Sequence, residues 1–308
     1  MARQSMARTS DSSANGHPPE PANGEGTPAT VPLIPTHSPD NDDDDDDDEG
    51  PRFDFDVLRK RYPGNVAPVP HDSTLLSNGS RSLTSIGLQA FGCGFTLAAC
   101  LLLTLYLTVE KQDPIWRLPA FFACLSIFHF LEYYITARFN LPTVRAASFL
   151  LFNNGTAYNT AHTCAALEII VTRYWFPDFQ RVLVYPPYSI LLGLGIVAIG
   201  QVARSTAMAQ AGTNFNHTPV QTRKDGHELV THGIYSWSRH PSYFGFFWWA
   251  LGTQVLVGNK VCLVAYAVAL WRFFYTRVIA EERTLVEFFG DDYREYRKRV
   301  GTRIPFVP

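Results

Sequence analysis

The stretch Leu83–Val109, LTSIGLQAFGCGFTLAACLLLTLYLTV, carries no charged side chain across its 27 residues. A helix of that length spans about 40 Å, enough to cross the ~30 Å hydrocarbon core of a bilayer. Lipid offers no partner to backbone polar groups, so a segment of this kind is read as a transmembrane α-helix. Working outward, Ile115–Phe139 reads the same way, although it carries His129 and Glu132. Tyr185–Ala203 is a third clear candidate, with Gly193, Gly195 and Gly200 suited to close helix packing. Ala146–Val171 is weaker, because Asn153, Asn154, Asn159, His162 and Glu168 interrupt it. Those polar groups must face protein or a cavity. Tyr243–Val257 and Val261–Arg277, joined at Gly258-Asn259, form a last pair. The first of the two is short for a full crossing, which suggests a tight helical hairpin that dips into or just spans the membrane. The expected fold is all-α and integral to the membrane, with about six transmembrane helices, the last two a hairpin.

The mean hydropathy of the 308-residue chain, -0.05, hides this organisation. Residues 1–82 hold 15 of the 28 acidic and 7 of the 26 basic residues, a net charge of −8 that leaves +6 on residues 83–308. The first 50 positions are rich in Pro, Gly, Ser, Asn and Asp and end in the run Asp42–Asp48 followed by Glu49. Too little apolar surface is present there to offset the entropy of ordering the chain, so residues 1–82 are expected to form a disordered acidic region. No apolar core near Met1 suggests a signal peptide. Five cysteines without a CxxC pair do not read as a disulfide or zinc framework, and fit small apolar packing residues instead. An even helix count puts both termini on one side. Arg138, Arg145, Arg204, Arg223, Lys224, Arg239 and the basic C-terminal segment fall on that side, against Lys111, Arg117, Arg173, Arg181 and Lys260 opposite. The asymmetry predicts cytosolic termini.

Residues 212–243, GTNFNHTPVQTRKDGHELVTHGIYSWSRHPSY, are too polar to cross a bilayer and hold four histidines, 217, 227, 232 and 240. No cysteine joins them and neither HxxxH nor HExxH spacing occurs, so no metal site is expected. In Arg239-His240-Pro241-Ser242-Tyr243, Pro241 is placed to open a helix, since the N–H it lacks would be unpaired in a first turn. The positive end of that helix suits a carboxylate or polar ligand, while His240 as a plain helix cap is the blander alternative. Further on, Arg277 and Glu281 are four residues apart and share one helix face, with Glu282 some 100° away. A surface ion pair and a buried binding pair are both open from the spacing. Leu285, Phe288, Phe289, Tyr293 and Tyr296 alternate with charge, as an amphipathic helix on the cytosolic face would, with Gly290 as a point of interruption.

Taken in order, GHELVTHGIYSWSRHPSYFGFFWWALGTQ (226–254), WRFF (271–274), Glu281-Glu282, FFG (288–290) and IPF (304–306) resemble the isoprenylcysteine carboxyl methyltransferase family. The likeness is close from about Ser148 to Pro308, weaker over 83–147 and absent before that. It implies an integral enzyme of the endoplasmic reticulum membrane, in which residues 83–308 form the methyltransferase domain and residues 212–308 its cofactor-binding catalytic part. The implied reaction moves a methyl group from S-adenosylmethionine to the C-terminal carboxylate of a farnesylated or geranylgeranylated cysteine on processed CaaX proteins. The implied partners are those proteins and the bilayer, with no nucleic acid. At matching positions, Gln221, His227, Glu228, Leu229, Val230, Tyr235, His240, Pro241, Ser242, Tyr243 and Glu281 would bind the cofactor. Arg277 would hold the substrate carboxylate and so serve both catalysis and substrate binding.

These roles are chemically coherent. A terminal carboxylate with a pKa of about 3.5 is ionised at neutral pH and needs no general base. The work left to the protein is alignment and exclusion of water. Related motifs also occur in phospholipid N-methyltransferases and in NADPH-dependent sterol reductases, and a non-catalytic membrane transporter is the alternative from another class. An arginine beside the acceptor disfavours an amine substrate, and the Glu281-Glu282 pair and short chain count against a reductase. Phe246, Phe247, Trp248 and Trp249 are read as either a lipid route or plain core.

Overall fold

A computed structural model describes residues 72–181, 188–218, 222–223 and 226–308, all within one unit, Pro68–Pro308. Helices α1 (Leu83–Val109), α2 (Arg117–Phe139), α3 (Gly155–Tyr174), α4 (Pro177–Arg181), α5 (Tyr188–Ala211), α6 (Pro241–Val257) and α7 (Val261–Arg299) follow one another, and no strand occurs among the described residues. Four helical stretches are long and apolar enough to cross a membrane: Leu83–Val109, Pro114–Phe139, Tyr188–Asn214 and Val261–Arg299.

The expected bounds hold best where composition changes abruptly. α1 matches its expected span, and Ser82 caps it by accepting the Ser85 N–H at 3.2 Å. Its leucines and phenylalanines, among them Leu88, Phe91, Phe95, Leu102 and Leu105, are exposed and only Cys93 is buried, as suits a helix facing lipid on most sides. The expected acidic region falls outside the described residues as far as residue 71. Ser73–Leu75 forms a 3-10 turn, capped by the Asp72 carboxylate accepting the Thr74 N–H, so regular structure starts before residue 83.

Three expectations are corrected. The helix expected from Ala146 begins at Gly155: Ala146–Phe149 is a 3-10 turn, Leu150 adopts a left-handed φ of 56°, and the Asn154 amide donates to the Leu150 carbonyl. The helix expected to stop at Ala203 runs to Ala211, because Arg204, Ala207 and Met208 turn into the protein instead of ending the segment. The last helix does not stop at Arg277. It continues to Arg299 and departs from helical backbone only at Gly290 (φ 58°, ψ −126°).

The helices alternate in direction, and contacts at their ends fix two poles. At one pole the Ala146 N–H donates to the Ser80 carbonyl, and the Asn140 amide donates to the Phe215 carbonyl at 2.8 Å. At the other, Arg173 grips Asp113 through Nε and Nη2, at 2.6 and 2.9 Å. There too, the Glu168 carboxylate of α3 accepts the N–H groups of Lys260, Val261 and Cys262 at 2.7, 2.9 and 2.6 Å, capping α7 from another helix. Asn259 ties the α6–α7 turn to α3 by donating to the Ala165 carbonyl at 2.9 Å. Gly258, with a φ of 68°, ends α6 in the left-handed conformation that glycine adopts without cost.

Helix association in lipid rests on close packing rather than on hydrophobic expulsion from water. The α5–α6 seam shows this. A Cβ on Gly200 would fall 2.4 Å from the Trp249 backbone nitrogen, and one on Gly193 the same distance from that of Leu256. Gly195, grouped with them in the sequence, faces open space and takes no part in the seam. Phe121, Phe128, Ile169, Trp249, Val257 and Tyr266 fill the core between α2, α3, α6 and α7. A second cluster, Phe247, Phe274, Val278, Ile304 and Val307, anchors the C-terminal residues against α6 and α7. Phe247 and Trp249 are thus buried core residues.

Candidate functional site

One cavity lies at the first of these poles, between the start of α6, the far part of α7 and the segment joining α5 to α6. Its walls include His227, Glu228, Leu229, Val230, Tyr235, His240, Pro241, Ser242, Tyr243 and Glu281. Every residue expected to bind the cofactor is therefore in the lining except Gln221, which lies outside the described residues. Arg277 is not in the lining and stands one helical turn before Glu281 on α7.

The first turn of α6 organises the site. His240 holds the N-cap position through its carbonyl, which accepts the Tyr243 and Phe244 N–H groups, but its ring makes no cap bond: Nε2 meets Glu282 Oε1 at 3.2 Å, and the ring face lies parallel to Tyr243 at 5.4 Å. Glu282 is held by more than His240: Arg239 Nε donates to Oε1 at 2.5 Å and Arg297 approaches Oε2 at 3.4 Å. Ser242 Oγ accepts from Arg204 Nη1 at 3.0 Å. The Tyr243 hydroxyl donates to Glu281 Oε2 at 2.5 Å and accepts from Arg277 Nε at 3.3 Å. Arg277 and Glu281 therefore do not form the direct ion pair that their spacing allows; a phenol stands between them.

The opposite wall is aromatic. The His227 ring meets Phe288 and Phe289 edge-on at 5.9 and 5.5 Å, and Phe288, Phe289, Tyr293 and Tyr296 all line the cavity. The segment beyond Arg277, expected as an amphipathic helix on the cytosolic face, turns its apolar side, Leu285 included, into this cavity. Tyr296 donates to the Tyr235 carbonyl at 2.6 Å, and the Tyr235 hydroxyl donates to the Ala207 carbonyl at 3.2 Å. Burial lifts the Tyr235 phenol above its ordinary pKa, helped by the neighbouring Tyr296 and Glu281, so it stays a neutral donor. The Glu228 N–H donates to the Asn214 side chain at 3.0 Å, fixing the His227–Val230 strip to the 3-10 turn that follows α5.

Beyond the expected residues, the lining adds Asn214, Phe215, Asn216, Thr218, Arg239 and Thr284. The sequence signal for the 214–218 group was its polarity and its place within the histidine-rich segment 212–243. Glu282 and Arg239 lie beside expected residues, but their pairing joins α7 to the chain just before α6 and has no local signature.

The donor set suits a zwitterionic, aromatic-ringed ligand. Glu281 offers a carboxylate to a cation, the start of α6 offers the positive end of a helix dipole, and the cluster of His227, Phe288 and Phe289 offers faces and edges to a flat ring.

Comparison with known proteins agrees with this assembly. The sequence profile of the isoprenylcysteine carboxyl methyltransferase (ICMT) family matches residues 191–287. A protein-S-isoprenylcysteine O-methyltransferase of Saccharomyces cerevisiae is 45% identical over 210 residues, 67% of this chain and 87% of that protein. The Homo sapiens protein of the same name is 38% identical over 218 residues, 70% of this chain and 71% of the relative. Among solved structures, a eukaryotic intramembrane Ras methyltransferase ICMT superposes with a TM-score of 0.63 at 36% identity, covering 68% of this chain and 74% of that one. Together with the four candidate spans, these matches make the protein a multi-pass membrane protein. The chain belongs to the isoprenylcysteine carboxyl methyltransferase family.

Proposed function

We propose that the protein methylates the C-terminal carboxylate of a prenylated cysteine on processed CaaX proteins, with S-adenosylmethionine as methyl donor. The observation that carries this is the join at Tyr243: one hydroxyl touches Glu281, on the cavity wall, and Arg277, outside it. A donor pocket and a cation for the acceptor are thereby held one helical turn apart.

His227–Val230, Tyr235, His240–Tyr243 and Glu281 would hold the cofactor, with Gln221 assigned by its sequence position. The Glu281 carboxylate is suited to an ammonium group, and the aromatic wall to adenine. S-adenosylmethionine, when bound, supplies a methyl group already activated on a sulfonium. Arg277 orients the acceptor carboxylate, which is ionised at neutral pH and needs no base. Burial of that carboxylate beside α6 and α7 strips water from the nucleophile. The cation at Arg277 also disfavours an amine acceptor.

We further assign α3 and α6 as crossings that complete six, with residues 83–308 as the methyltransferase domain and 212–308 as its cofactor-binding part. The excess of basic residues at the cavity pole supports a cytosolic site and cytosolic termini, in the endoplasmic reticulum membrane.

The test is transfer of labelled methyl from S-adenosylmethionine to farnesyl- and geranylgeranylcysteine analogues by purified, folded protein. Transfer to either supports the proposal, and its absence with both rejects it. Arg277→Ala should raise the acceptor KM by at least ~10-fold while cofactor affinity changes little. Equal loss of both would remove Arg277 from the acceptor site.

A further inference from the structure

His217 belongs to the histidine-rich segment but not to the cavity wall, although Asn216 and Thr218 on either side of it do. Its side chain turns away from the cavity toward α2. There ring Nε2 lies 3.0 Å from Glu132 Oε2. A carboxylate held in an ion pair can only accept, so Nε2 carries the proton and donates. Its main chain faces the other way: the His217 carbonyl accepts from Arg277 Nη2 at 2.8 Å. One residue therefore links a buried acid to the arginine assigned to the acceptor.

The acid is a firm anchor. Glu132 is only 1% exposed, and both its oxygens are taken by Arg204 of α5, through Nε and Nη2. Arg204 in turn lies over the Phe128 and Phe246 rings at 5.5 Å from each. The segment carrying His217 is tied down a second time where Asn140 donates to the Phe215 carbonyl. Arg277 needs such a tether. A long side chain on a helix samples many rotamers, and the hydrogen bond from Arg277 to the Tyr243 hydroxyl is longer, at 3.3 Å.

We infer that His217 is a positioning residue for the acceptor: anchored to Glu132, it presents its backbone carbonyl to Arg277 and fixes the guanidinium where the substrate carboxylate must dock. The inference rests on the assignment of Arg277 to the acceptor. His217 touches neither substrate nor cofactor and acts only through Arg277. Loss of its anchor frees the 215–217 segment and lets the guanidinium wander, which weakens acceptor capture and leaves the donor pocket intact.

The test compares two polar replacements with the Arg277 variant in the full-length protein. His217→Gln keeps an amide N–H near the position of Nε2, whereas His217→Asn keeps the polarity and loses the reach. His217→Asn should raise the KM for farnesylcysteine analogue by ~10-fold, with S-adenosylmethionine affinity within about twofold, and His217→Gln should recover most of that loss. In the Arg277→Ala background His217→Asn should add nothing. Equal acceptor KM values for the Asn and Gln variants, or fully additive losses with Arg277→Ala, overturn the inference. If Arg277→Ala itself spares the acceptor KM, the assignment of Arg277 falls and this inference falls with it, a pattern distinct from the first two. If His217→Asn does not accumulate as folded protein, Asn140→Ala, which releases the same segment through Phe215, replaces it. An unchanged acceptor KM in that variant also counts against the inference.

Discussion

Arg204 on α5 and Glu132 on α2 meet side by side, two guanidinium nitrogens on two carboxylate oxygens, with both side chains withdrawn from solvent. The third nitrogen of Arg204 reaches Ser242 at the start of α6, so one ion pair ties three helices at the cavity.

Such a pair is expensive to break from one side. Glu132→Leu leaves a buried guanidinium unpaired and should destabilise the protein by about 3–5 kcal/mol. Thermal unfolding in a fixed detergent reads this directly. The double variant Glu132→Leu/Arg204→Leu should be less damaging than the sum of the singles, since it removes both charges. Strictly additive losses would show that the two residues do not act as a pair.

The α5–α6 seam gives a sharper geometric expectation. Gly200→Ala places a methyl group against the Trp249 and Gly245 backbones, neither of which can yield like a flexible side chain. A cost of about 1–3 kcal/mol is expected, together with reduced activity, because the seam positions Ser242 and Tyr243. Gly195→Ala, on open space in the same helix, should leave the unfolding temperature within a degree or two of wild type. Equal effects at the two glycines would contradict the packing described.

Tyr243→Phe removes one oxygen atom that serves two sites. Glu281 loses a 2.5 Å donor and Arg277 a hydroxyl acceptor, so affinity for the cofactor and for the prenylcysteine should each weaken by ~3- to 10-fold. Glu281→Gln should weaken the cofactor alone. Titration calorimetry with the cofactor, alongside acceptor KM, separates the two patterns. A Tyr243→Phe protein altered in one ligand only would deny the bridge.

At the opposite pole, the Arg173 guanidinium and then the Ile115 N–H hold the Asp113 carboxyl down to about 2, below its ordinary 3.8. A depressed folded-state pKa means the contribution is present above the unfolded value and fades as pH falls through the folded one. Asp113→Asn should therefore cost up to about 1 kcal/mol at pH 7, as for a partly exposed pair. The gap to wild type should narrow below pH 4 and close near pH 2. A difference in unfolding temperature that stays constant from pH 6 to pH 3 would refute this.

How much of this was legible beforehand depended on the range of the signal. α1 was readable from 27 uncharged residues, because lipid imposes a composition on every position. Pro241 marked the start of α6, since it tolerates only a first turn. The end of α5 was misplaced because Arg204 looks like a terminus in sequence; only the Glu132 of a distant helix makes it an interior residue. Phe288, Phe289 and Tyr293 showed their apolar face but not what it covers, and a cavity wall and a membrane surface demand the same side chains. The family motifs located the cavity residues, yet the Tyr243 bridge and the two-faced role of His217 arise from helix packing, which no local spacing encodes.

The long unbroken run of α7 from Val261 to Gly290 has a last consequence. Arg277 and Glu281 are separated along it by four residues, about 6 Å of rise in a regular helix. The interval between the cation proposed for the acceptor and the carboxylate proposed for the donor is thus a count of peptide units, as unyielding as a notch on a gauge. Helices that slide or breathe in the bilayer can deepen or narrow the cavity without altering that interval. Only past Gly290 does the backbone change course, so any play in the part of the wall formed by Tyr293 and Tyr296 lies downstream of that interval.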